Sequence, residues 1–119
     1  MKLETGNLDI LSAENEERRG WFVGSFIPKD SLLNSDSCEV KWSKFLKGLK
    51  RTSSQDASDN THTVAVLIKG KWKCFFTEEK KKVILSEPGD FVAYDGGAHH
   101  ENEALEDSHL MVIRWRNKE

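Results

Sequence analysis

Several things are scarce in this chain of 119 residues, and each scarcity removes a class of function. Cysteine occurs only at Cys38 and Cys74, without a C-x-x-C spacing, so no dithiol motif is present and both thiols are expected to be reduced. No apolar stretch approaches the roughly 20 residues that a membrane-spanning helix needs. The opening "MKLETGNLDIL" lacks the apolar run and small-residue cleavage site of a signal peptide, which makes the cytoplasm the expected location. Charge of one sign is also missing. A net charge of −2 gives no reason to expect nucleic acid or a membrane surface as partner, and "EEKKKV" at 78–83 suits a solvated hairpin tip. No G-x-S-x-G elbow, glycine-rich phosphate loop or evident carboxylate pair is found, so nucleophilic catalysis and paired-carboxylate hydrolysis have little support.

What is present points to one all-β domain. Residues 1–19 are polar and poor in aromatics, an N-terminal arm or short helix with Ser12 as its candidate cap. From residue 20 to 119 the character changes. "GWFVGSFIP" (20–28), "CEVKWSKFLKG" (38–48), "HTVAVLIKGKWKCFF" (62–76), "KVILS" (82–86), "DFVAYD" (90–95) and "SHLMVIRWR" (108–116) are strand-like segments separated by turns. Lys69-Gly70-Lys71 carries a hairpin signal, Pro28 and Pro88-Gly89-Asp90 mark turns, and "RTSSQDASDNT" (51–61) is the long polar loop. Short, regularly spaced strands favour an antiparallel sandwich or barrel. Cys74 lies in an apolar run and suits a small core residue, while the four tryptophans suit the core or a dimer face.

The stretch "SEPGDFVAYDGGAHHENEAL" (86–105) resembles the second motif of the cupin superfamily, G-x5-P-x-G-x2-H-x3-N. The motif starts at Gly89, meets Asp95 where proline is usual, matches Gly97 and His100, and ends on Ala104 where asparagine is usual. The resemblance therefore implies an antiparallel jelly-roll (RmlC-like) barrel over roughly residues 38–115, with His100 in the metal-ligand position and His99 facing the other way. The first motif, G-x5-H-x-H-x(3,4)-E-x6-G, fits poorly. Ser54 and Asp56 stand at its two histidine positions and Thr63 at its glutamate position. The strings "GWFVGSFI", "EVKW", "TVAVLIKGKW" and "VIRW" are similar to a group of small stand-alone bacterial cupins, which implies the fold and a homodimer but no particular activity.

Two readings of His100 follow. In the metal reading, a divalent ion (Zn, Fe, Mn or Ni) is held by His100 with Asp56 and His62 or Asp59, as first-row metals need three or four converging ligands. Strand alternation from Thr63 sets His62 on the opposite face, so both cannot serve one cavity. In the structural reading, His100 closes the barrel turn through a hydrogen bond. Lys41 and Arg114 also sit inside strand-like runs, where an unpaired buried charge is costly. Either they grip an anionic ligand inside the barrel, or they face solvent or pair with Glu39 or Asp90. The functional expectation is a small cupin that binds a small polar or anionic molecule through Lys41, Asp56, Thr63, His100 and Arg114. The alternatives are a metal-dependent oxygenase, isomerase or lyase, and a dimeric accessory protein with a packed barrel.

Overall fold

The computed structural model describes residues 1–54 and 60–116, without the side chains of 53 and 54. Asp56 and Asp59, both named above as candidate ligands, lie outside the described residues. Near the N-terminus one helix, α1 (Leu8–Glu14), is followed by a single 3-10 turn at Glu16–Arg18. Its cap is Asn7 and not Ser12. The Asn7 carboxamide oxygen accepts from the Asp9 and Ile10 amides at 2.9 and 3.2 Å, which satisfies two of the free N–H groups of the first turn. Ser12 lies inside the helix, which begins one turn earlier than expected.

Among the described residues the rest forms nine strands: β1 (Trp21–Val23), β2 (Cys38–Phe45), β3 (Lys50–Ser54), β4 (Thr61–Lys69), β5 (Trp72–Phe76), β6 (Lys81–Leu85), β7 (Phe91–Asp95), β8 (His99–Ala104) and β9 (Ser108–Arg116). They build two antiparallel sheets, β1-β2-β9-β4-β7 and β3-β8-β5-β6, that face each other as a jelly roll. Strand alternation explains the interior. Thr61, Thr63, Ala65 and Leu67 of β4 are buried with half-buried residues between them, and Trp72, Cys74 and Phe76 of β5 repeat the pattern.

The Lys69-Gly70-Lys71 hairpin is corrected. β4 and β5 belong to different sheets, so this turn carries the chain from one layer to the other. Gly70, at φ +102°, passes so close to β9 that a Cβ would sit 2.3 Å from the Asp107 carbonyl oxygen. Two strands, β3 and β8, were not expected. Both are polar, lacking the apolar alternation that marks a strand, and they pair with each other from Lys50–Glu103 to Ser54–His99.

The barrel is graded from end to end. One end is packed with Leu67, Leu85, Leu110, Trp72 and Ala104, each at most 5% exposed. Moving along the same inward rows, Leu67 and Ala65 give way to Thr63 and Thr61 on β4, Ala104 to Asn102 and His100 on β8, and Leu110 and Val112 to Arg114 on β9. The interior thus becomes polar toward the end where the functional candidates gather. Among the described residues no helix is long and apolar enough to cross a membrane.

Candidate functional site

Where the packed interior gives way to the polar end lies a cavity of about 110 Å³, walled on its apolar side by Ala65, Trp72, Cys74, Leu110 and Val112 and on its polar side by Trp21, Lys41, Ser43, Phe45, Arg51, Tyr94, His100, Asn102 and Arg114. Each side chain arrives by strand register. Lys41 and Ser43 are two apart on β2 and Arg114 comes from β9, whose Val112 is the Cα partner of Lys41. Arg51 on β3 is the Cα partner of Asn102 on β8, two residues from His100.

Three cations surround this cavity, and none of the described residues lining it is a carboxylate. Aromatic faces stand where counter-ions would be. The Arg114 guanidinium lies 4.8 Å from the centre of the Trp21 ring, and the Lys41 ammonium lies 5.7 Å from that ring and 5.9 Å from Phe45. Arg51 covers Phe45 at 4.9 Å. Two rings thus space three positive charges, each cation drawn to a ring's negative face. Among the described residues, the carboxylate that reaches Arg114 is Glu39, at 3.9 Å. Asp90 does not pair with either cation. It accepts from the Ser86 and Glu87 amides at 3.0 Å and closes the Pro88-Gly89 turn.

The electrostatic cost falls on Lys41. Burial, then the positive charges of Arg51, Arg114 and Arg19, lower its pKa to about 8. Burial also lowers the His100 pKa, with a weak contact to the Ala98 backbone opposing it. Tyr94, whose hydroxyl is 3.5 Å from His100 Nε2, is pushed by burial up to about 12. His100 is 5% exposed, and its ring packs on Tyr94 and Phe76 at 4.9 and 5.6 Å between centroids.

Among the described residues, four buried side-chain polar atoms lack a good hydrogen-bond partner: Ser43 Oγ, His100 Nδ1, Arg114 Nε and His109 Nε2. The first three belong to residues lining this one cavity. Buried polar atoms are nearly always paired, so three orphans around one void mark where a polar guest is wanted. A larger hollow of about 590 Å³ lies under the N-terminal arm against β1. It has no such orphans, and its Lys2 and Glu4 are engaged by the Asp30 carbonyl and by Ser31 and Leu32 of the facing loop.

The other sequence candidates fall elsewhere. Thr63 is buried beside its Cα partners Arg114 and Tyr94 but is not among the cavity-lining residues. His62 points to the opposite face from Thr63, with its ring 6.0 Å from Trp115, and so does not meet His100. His99 is exposed, 3.8 Å from Glu78. His109 packs edge-on against Trp42 at 3.9 Å. Of the tryptophans, only Trp72 is buried in the core. Arg51 was missed because it lies in a segment whose polarity signals a loop. Its signal is the alternation with Leu49, whose side chain packs on the core.

The two facing sheets have counterparts among solved structures. The chain is similar to KdgF from Halomonas sp., with a TM-score of 0.58 at 20% identity over 71% of this chain and 74% of that one. The chain has the cupin fold. It is similar also to a cupin superfamily protein of Desulfitobacterium hafniense, with a TM-score of 0.57 at 17% identity over 70% of this chain and 71% of that one. A third likeness is the Cupin_2 domain of an XRE family transcriptional regulator from Enterobacter cloacae, with a TM-score of 0.58 at 14% identity over 69% and 84% of the two chains. No family model and no curated protein matches the sequence.

Cupin barrels commonly hold a metal, so the fit of this cavity to one matters. Among the described residues no group of three or more His, Cys, Asp and Glu side chains is placed to hold an ion. The cavity offers one imidazole, a phenol and an amide, with burial raising the nearby Cys74 thiol to about 11. Lys41, Arg51 and Arg114 add positive charge that would repel a divalent cation. The described residues do not fit a metal.

Proposed function

We propose that this small cupin binds a small anionic molecule at the polar end of its barrel, through Lys41 and Arg114 with Arg51 beside them. The observation that carries the reading is the set of three orphaned polar atoms around a cavity with three cations and, among the described residues, no lining carboxylate. Arginine offers a planar fork for a carboxylate or phosphate, and His100 and Ser43 offer further polar contacts. A water molecule occupies ~30 Å³ of liquid, so the cavity holds about four waters or an acid of two or three carbons.

Calorimetric titration with acetate, lactate, phosphate and pyruvate tests this. Charge-assisted hydrogen bonds are worth ~1.5–3 kcal/mol, so Lys41→Met and Arg114→Met should each weaken binding roughly 10- to 100-fold. The reading falls if none of these anions binds, or if both variants bind as tightly as the wild type.

A further inference from the structure

We propose that Lys41 is an imine-forming amine and that the cavity takes a small 2-oxo acid, its carboxylate toward Arg114 and Arg51 and its carbonyl carbon against Lys41 Nζ. This rests on the anion-binding reading above and deepens it to a substrate class. An anion site by itself needs only fixed cations, and arginine fills that role without loss of charge. Here the site spends one of its three positions on a lysine held between the faces of Trp21 and Phe45. Among the described residues no carboxylate pairs with it, since Glu39 turns to Arg114.

The groups that set the charge state of Lys41 come from every side. They are Arg51 on β3, Arg114 on β9 and Arg19 after the 3-10 turn; the other titratable groups around the cavity are Glu39 on β2, Tyr94 on β7, Cys74 on β5 and His100 on β8. The three arginines are fixed cations that raise the share of neutral amine, and the neutral form of a lysine beside other cations is a competent nucleophile toward a carbonyl. In the step, the Nζ lone pair forms a bond to the carbonyl carbon and gives a carbinolamine. The C–O bond then breaks, the oxygen leaves as water with the two amine protons, and a C=N bond remains. No oxidant or reductant is needed. The arginines that hold the carboxylate also fix the carbonyl next to the nitrogen.

The test is reductive trapping of the full chain with pyruvate or glyoxylate and cyanoborohydride at neutral pH, read by intact mass and peptide mapping. The expected result is one adduct per chain at Lys41, formed about tenfold or more faster than at the exposed Lys80 and Lys82, because far more of a low-pKa lysine is neutral. Lys41→Arg keeps the charge and should abolish that adduct. Lactate, which has no carbonyl, separates the two claims when titrated into the wild type and Lys41→Arg. Lactate binding without trapping at Lys41 overturns the imine and leaves anion binding standing. Adducts spread evenly over the lysines, or unchanged in Lys41→Arg, also overturn it. Absence of both lactate binding and trapping overturns both readings.

Discussion

At the scale of the residue, Lys41 sets stability and binding against each other. Its folded pKa of about 8 lies below the ordinary 10.5, so between these values the unfolded chain holds more protons and stability rises with pH. At pH 7 the fold therefore carries a charged lysine that it disfavours. Lys41→Met should raise stability at pH 7 by about 1–2 kcal/mol after allowance for solvent at this half-buried position, and the gain should shrink between pH 8 and 10.5. Urea denaturation at several pH values measures this; a loss of stability at pH 7 would contradict it. His100 works in the acid range. Its pKa is lowered from 6.5, so the stability tied to its neutral ring is present above 6.5 and is lost as pH falls below it. His100→Gln should flatten the decline of melting temperature below pH 6.5. Some slope will persist because burial shifts His109 in the same direction. At this scale the sequence singled out Lys41, Arg114 and His100, since a charge within an apolar run and a histidine after a glycine turn are local signals. It left open which way the two cations face, because that depends on packing against β3 and β1, far away in the chain.

At the scale of the element, turns and strands differ in how much they declare. Gly70 and Gly89 have nearly the same backbone, at φ +102° and +92°, but different surroundings. A Cβ on Gly89 meets nothing within 4 Å, whereas one on Gly70 collides with the backbone of Asp107 and Ser108. Gly89→Ala should cost about 1–2 kcal/mol, the strain of a left-handed alanine, and Gly70→Ala clearly more. Thermal unfolding of the two variants should place Gly70→Ala lower by several degrees; equal melting temperatures would contradict the close approach. The apolar strands β2, β4, β5, β7 and β9 could be found from their alternation. Strands β3 and β8 could not, because they are made of polar residues and lack the apolar alternation that marks a strand. The same polarity hid Arg51 and turned a change of sheet at Gly70 into an apparent hairpin.

At the scale of the whole molecule, the jelly roll was legible from turn spacing and one motif, while the content of its cavity needed strands far apart in sequence to meet. The central strand β9 pairs with β2 on one side and β4 on the other, joining residues up to 77 positions apart, Cys38 and Trp115. Such non-local pairing predicts folding in milliseconds to seconds. The N-terminal arm is tied on by few bonds. Asp9 accepts from the Trp42 indole and the Lys44 ammonium, both at 2.9 Å and all exposed to solvent. Removing residues 1–14 should lower the melting temperature by a few degrees, since surface pairs are worth at most ~1 kcal/mol each. The far-UV β signature should persist, and its collapse would show the arm to be integral to the fold.

The corner at Gly70 has one more consequence. The Lys71 amide, on an exposed turn, donates to the Ser108 hydroxyl at 3.1 Å, and the one proton of that hydroxyl is shared between the Glu106 carbonyl at 2.8 Å and the Lys71 carbonyl at 3.0 Å. Ser108 itself is buried at the start of β9. A turn amide that would otherwise trade its hydrogen with water in seconds is thereby latched to the central strand. Its rate of exchange becomes a gauge of how often the two sheets part at their packed end.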